Sequence, residues 1–78
     1  MNYYKMDSLK ACITSKDMFM HMPGQSPKIA AIDGDNSQMV DIMRKQPSIT
    51  KEEFEQSIPS STSYEAFYKA MYLAAIEN

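Results

Sequence analysis

The segment DSLKACITSKDMFMHMPGQSPKIAAID, residues 7–33, decides the fold class, because it either adds a helix to the chain or starts a sheet. Asp7 or Ser8 can cap a helix, and Leu9, Cys12 and Ile13 follow at the i, i+3, i+4 spacing of one helical face. Ser15 to Asp17 closes that helix. Met18 to Met22 then alternates by side: Met18, Met20 and Met22 share one face, with Phe19 and His21 on the other, as in a half-buried strand. A continued helix is the rival reading. Pro23-Gly24-Gln25-Ser26-Pro27 breaks any regular structure, and the apolar run Lys28 to Asp33 beyond it completes a β-hairpin pattern. Upstream, Tyr3, Tyr4 and Met6 fit either a short strand or a packed arm.

Downstream of residue 33 the signals are helical. Asp33-Gly34-Asp35-Asn36 is a turn, with Asp35 or Asn36 as the cap of a helix whose stripe is Met39, Ile42 and Met43, widened by Val40. Pro47 ends it. Thr50 and Glu53 then form a capping box, and Ile49 is placed to staple onto Phe54, so two motifs agree on one helix start. That helix turns Phe54 and Ile58 inward and stops before Pro59. Thr62 and Glu65 repeat the capping-box spacing at the head of the last helix, STSYEAFYKAMYLAAIEN, residues 61–78. On that helix Tyr64, Phe67, Tyr68, Met71, Ala74 and Ala75 make one wide apolar stripe. Glu65 and Lys69 lie on the far side, but their row runs on into Tyr72 and Ile76, flanked by Leu73. This is more apolar surface than one buried face can hide. With Tyr64, Phe67 and Met71 assigned to a core with Met39, Ile42, Met43, Phe54 and Ile58, the set left for a partner is Tyr68, Tyr72, Leu73 and Ile76.

The fold class expected is α+β and mostly helical, one small domain over 1–78. Residues 1–33 hold a helix and the hairpin pattern, and 36–78 form a tri-helical unit. The run QMVDIMRKQPSITKEEFEQSIPSSTSYEAFYKAMYLAAIEN, residues 38–78, resembles the helix-turn-helix core of winged-helix regulators. In that family a capped second helix and a Ser/Thr-rich turn lead into a recognition helix. The resemblance implies that Ser61, Thr62, Ser63, Glu65 and Lys69 would face a DNA major groove, with any wing supplied by the upstream hairpin. Charge opposes that role. Residues 38–78 set Arg44, Lys45, Lys51 and Lys69 against Asp41, Glu52, Glu53, Glu55, Glu65 and Glu77, whereas phosphate contacts need a basic surface.

Composition narrows the function further. The chain has 78 residues, a net charge of −2 and a single Arg, so no basic stripe points to nucleic acid. A domain this small often supplements its core by oligomerising. Its eight Met suit both a core and an adaptable binding surface. One Cys excludes an internal disulfide and a multi-cysteine zinc site, and Cys12 is read as a buried small hydrophobe. The longest apolar run, near Ala70 to Ile76, is too short for a membrane span, so a soluble cytoplasmic protein is expected.

Three further chemistries fall away. Met18, Met20 and Met22 with His21 are soft ligands for Cu(I), but a strand turns His21 from the methionines. Asp33, Asp35 and Ser37 echo a calcium loop that lacks its glycine at Gln38 and its closing Glu at Arg44. Cys12 and His21 could pair as nucleophile and base only by the accident of being single residues. No enzyme, metal or cofactor is expected. The function expected is a small acidic protein-binding module of the phage accessory type, a homodimeric regulator or inhibitor of a larger protein, such as one that processes nucleic acid. The alternative is a helix-turn-helix DNA-binding regulator.

Overall fold

Met6 and Leu9 are cross-strand partners, so Asp7 and Ser8 form a two-residue hairpin turn rather than the cap of a helix. Asp7 takes φ 54°, in the left-handed region that Asp tolerates better than most residues. That turn joins β1 (Asn2–Met6) to β2 (Leu9–Ile13). β3 (Asp17–His21) and β4 (Lys28–Ala31) continue as an antiparallel meander in the order β1-β2-β3-β4. Three helices follow: α1 (Ser37–Arg44), α2 (Lys51–Gln56) and α3 (Ser63–Glu77). The computed structural model describes residues 1–58 and 63–77, and for 63 and 64 the backbone alone.

This corrects the expected fold class. The protein is α+β with a four-stranded antiparallel sheet ahead of three helices, not a mostly helical chain with a helix-turn-helix unit. The expected first helix is β2, and β1 is its partner. β3 and β4 do flank the Pro23–Pro27 loop, but as half of a larger sheet instead of a lone hairpin. The physical cause is burial on both faces. Ala11, Cys12 and Ile13 are all buried, so the polar alternation that marks a half-exposed strand is missing from β2.

Each connection is stabilised by a local device. Between β2 and β3, Thr14 Oγ1 accepts from the backbone N–H of Asp17 (2.8 Å) and Lys16 (3.1 Å), closing a short turn. After β3, the Gln25 N–H donates to Met22 O (3.1 Å) across Pro23-Gly24, where Gly24 takes φ +79°. Pro then Gly with positive φ is a type II turn. Asp33 Oδ1 accepts from the N–H of Asp35 (2.8 Å) and Asn36 (3.2 Å) before α1. Asn36 occupies the cap position, yet its side chain reaches back to β4: Nδ2 donates to Ala31 O (2.6 Å) and Oδ1 accepts from Asp33 N–H (3.0 Å). Thr50 caps α2 as its sequence indicates, with Oγ1 accepting from Glu53 N–H (3.0 Å). Residues 47–49 also close the free side of β1. Lys5 N–H donates to Pro47 O (3.0 Å), and Ile49 N–H donates to Tyr3 O (3.0 Å).

Alternation along the strands divides the interior into two cores. Tyr4, Ala11, Ile13 and Met18 face α1 and pack with Val40 and Met43, fringed by Met6, Leu9, Met20 and Ile32. Cys12 and Phe19 face the opposite way and pack with Phe54 and Ile58 and with Tyr68 and Tyr72 of α3. The sheet is thus the middle of three layers. α2 lies toward β1 and β2, with Phe54 against Tyr3 (ring centroids 5.5 Å apart). α3 crosses the same face, with Tyr68 and Tyr72 edge-on to Phe19 of β3 (5.7 and 5.6 Å), the Tyr72 hydroxyl reaching Tyr3 of β1, and Ile29 of β4 at the fringe of the cluster. Of the stripe expected on α1, Val40 and Met43 are buried, while Met39 and Ile42 are exposed, because the sheet occupies only one side of the helix.

Replacing Gly24 by Val should destabilise the protein by about 1 kcal/mol or more through its positive φ alone, since there is room around it for a Cβ. Thr50→Ala should cost a similar ~1 kcal/mol through the lost cap. Each should lower the thermal midpoint by roughly 4–8 °C in a calorimetric scan.

Candidate functional site

α3 presents opposite characters on its two sides. With about 100° per residue, Tyr68, Tyr72 and Ala75 turn toward the sheet, and Ile76 is partly buried beside them. Tyr68 is 1% exposed and Tyr72 is 0% exposed. The other side carries Ala66, Phe67, Ala70, Met71, Leu73 and Ala74, all exposed, with Phe67 at 62%. From 66 to 74 this outward arc contains no charged residue. Glu65 and Lys69 sit half-buried at its margin.

The expected partner set is therefore corrected. Tyr68 and Tyr72 are core residues, Ile76 is partly buried against the same core, and Leu73 alone of the four is exposed. Phe67 and Met71, expected in the core, face outward. The helix is rotated about a quarter turn from the expected setting. The reason is the sheet, which offers Phe19 as the contact for Tyr68 and Tyr72. The missed residues carried one readable signal: Ala66, Ala70 and Ala74 recur every four residues beside Phe67 and Met71, forming an arc without charge.

Tyr72 is held by polar contacts as well. Its hydroxyl donates to Glu55 Oε2 (3.1 Å) and lies 3.0 Å from the hydroxyl of Tyr3. A carboxylate only accepts, so the Tyr72 proton goes to Glu55 and Tyr3 donates to Tyr72. This chain of bonds ties β1, α3 and α2 at one point. Burial pushes the Tyr72 hydroxyl strongly upward, and Tyr3 rises for the same reason, so both stay protonated. The arrangement anchors the helix.

A second cluster lies at the far end of β3. A cleft of about 390 Å³ is lined by Lys10, His21, Ser57 and Glu65 together with the Met22–Ser26 turn. His21 is buried against Phe54 (ring centroids 4.8 Å apart), and its Nε2 lies 3.2 Å from Ser57 Oγ. A serine beside a histidine suggests an activated nucleophile, but the proton runs the wrong way. Ser57 Oγ donates to Phe54 O (2.8 Å), so it must accept from His21 Nε2–H. The pair closes the end of α2. Burial lowers the His21 pKa, which keeps the ring neutral.

Cys12 lies in β2 and not on a helix, and burial pushes its thiol up to about 12. Its register partners are Tyr3 and Phe19, whereas His21 pairs with Lys10, so Cys12 and His21 are not aligned as nucleophile and base. Met18 and Met20 pack in the α1-side core, while His21 lies on the other face of the sheet, so the soft-ligand cluster is split. Among the described residues no group of three or more His, Cys, Asp or Glu could hold a metal ion. Among them, too, no helix is long and apolar enough to cross a membrane.

Of the residues assigned to DNA contact, Ser61 and Thr62 lie outside the described residues, as does the Thr62 end of the second capping box. Ser63 opens α3, and Lys69 lies half-buried on it. The helix-turn-helix frame that gave those residues their role is replaced by the sheet. No protein-family model, no curated protein and no solved structure matches this chain.

Two outcomes are expected from these environments. The folded pKa of His21 is below its unfolded value of 6.5, so the unfolded state binds the proton more readily. Stability should be flat above that pH and fall as pH drops through and below it. In His21→Gln this pH-dependent loss should disappear from urea titrations run between pH 7.5 and 5.5. Cys12 should resist a thiol reagent in the native protein and react fully in denaturant.

Proposed function

We propose that this protein is a small, non-enzymatic protein-binding module, a homodimeric regulator or inhibitor that acts on a larger protein through the outer side of α3. The charge-free arc Ala66, Phe67, Ala70, Met71, Leu73 and Ala74 carries the reading. A surface helix normally turns charge to water, and a contiguous apolar face on a small domain marks an interaction site. Small side chains every fourth residue allow another backbone to approach closely. Phe67 supplies the large, rigid contact area that recurs at binding hot spots.

The remaining chemistry supports a binding role. Ser57 and Cys12, the two nucleophile candidates, are held in resting positions, one as a closure of α2 and the other as a protonated thiol in the core. The net charge of −2 suits a basic partner surface, including one that handles nucleic acid. A cytoplasmic setting belongs to the same proposal and is supported by the single reduced cysteine.

Light scattering on a size-exclusion column should give about twice the 8.9 kDa chain mass. A tagged chain should retain a protein from the lysate of its own cell, with or without nuclease. Phe67→Glu combined with Leu73→Glu should abolish that retention while leaving the far-UV circular dichroism intact. A monomeric wild type whose retained proteins are unchanged in the double variant would overturn the proposal.

A further inference from the structure

The cleft at the end of β3 is lined by groups that the fold uses only in part. His21 is 5% exposed and its tautomer is set: Nε2–H donates to Ser57 Oγ, so Nδ1 carries the bare lone pair of a neutral ring. Among the described residues Nδ1 meets no donor, and because the ring lines the cleft, that lone pair is what His21 offers to a molecule entering it. Lys10 is the register partner of His21, so the two side chains leave the same face of the sheet about 5 Å apart at Cβ. Lys10 is half-buried, and among the described residues its ammonium has no carboxylate partner. Glu65, from the first turn of α3, adds a carboxylate to the same lining.

We propose that this cleft binds a small zwitterion of the α-amino acid class, whose ammonium donates to His21 Nδ1 and faces the Glu65 carboxylate while its carboxylate pairs with Lys10. The lining sets the charge of the ligand. One cation and one carboxylate surround a neutral ring that can only accept, so a plain anion such as phosphate meets both Glu65 and the Nδ1 lone pair unfavourably. A plain amine meets Lys10 in the same way. A molecule that carries both charges leaves neither wall opposed, and the half-buried ammonium of Lys10 gains the partner that the fold does not give it. The site goes beyond the protein-binding reading and does not depend on it.

Size and rigidity agree with a ligand of this kind. A volume of about 390 Å³ lies at the lower end of the range of small-molecule sites, which suits an amino acid better than a larger metabolite. Met22 and Pro23 give the lining an apolar stretch against which a side chain can rest, and the hydroxyls of Ser8 and Ser26 add neutral hydrogen-bonding groups. At Gly24 a β-carbon would meet open space, so the turn borders the cleft without filling it. The key acceptor is already oriented. Phe54 packs on the His21 ring at 4.8 Å and Ser57 holds its other nitrogen, so Nδ1 keeps one direction before a ligand arrives and little ordering is left to be done on binding.

His21 is the single histidine of the chain, so its ring nitrogens can be followed by NMR in histidine-labelled protein without ambiguity. Titration at neutral pH with L-alanine, L-valine and L-methionine should show at least one of them binding with a dissociation constant of about 1 mM or tighter. The Nδ1 resonance should move upfield as its lone pair takes up a hydrogen bond. Propionate and ethylamine, which each keep one of the two charges, should bind roughly tenfold or more weakly than the best of the three. Lys10→Gln with unchanged near-UV circular dichroism should lose affinity by a similar factor, and Lys10→Arg should retain it. No movement of Nδ1 with any of the three amino acids at ten times that concentration would overturn the proposal. So would propionate or ethylamine binding as well as the amino acid, or affinity unchanged in Lys10→Gln.

Discussion

The contact of Phe19 with the rings of Tyr68 and Tyr72 sets the arrangement of the molecule. It is the point at which the sheet and the longest helix meet, and it fixes the rotation of α3 about its axis. Edge-on aromatic pairs are worth about 0.5–1.5 kcal/mol beyond the area they bury. Their geometry also excludes a small rotation, because the Tyr72 hydroxyl must reach Glu55 and Tyr3 at the same time. Once that rotation is fixed, Phe67 and Met71 have no inward direction left.

The same contact explains the division of labour between α2 and α3. Phe54 sits between Tyr3, His21 and Tyr72, so the short helix α2 packs beside α3 on the same face of the sheet. A six-residue helix has little stability of its own. It is kept by the Thr50 cap at one end, by Ser57 and His21 at the other, and by Phe54 in the middle.

Local chemistry was legible in the sequence where it acts within a few residues. The Pro23-Gly24 turn, the cap at Thr50 and the inward side chains of Phe54 and Ile58 follow from rules that need no tertiary context. β2 was illegible because Leu9, Cys12 and Ile13 repeat a helical spacing, and burial on both faces erases the alternation that would have contradicted it. The Asp7-Ser8 turn lacks the Asn-Gly or Asp-Gly signature that announces a two-residue hairpin. The error on α3 then followed from the missing sheet. Tyr is amphipathic, so Tyr68 and Tyr72 could be read as surface anchors until a strand surface bearing Phe19 was there to receive them.

The two cores differ in material as well as in place. The α1 side is lined by Met6, Met18, Met20 and Met43 with Leu9, Ala11, Ile13, Ile32, Val40 and the ring of Tyr4, and the α3 side mainly by the rings of Tyr3, Phe19, Phe54, Tyr68 and Tyr72. Flexible thioethers refill space after a neighbour changes, whereas interlocked rings do so poorly. Sequence drift should therefore accumulate under α1, where one shape of side chain can stand in for another. The aromatic side should change more slowly. A surface built on α3 inherits that rigidity, so its contours can be kept while the opposite layer changes freely.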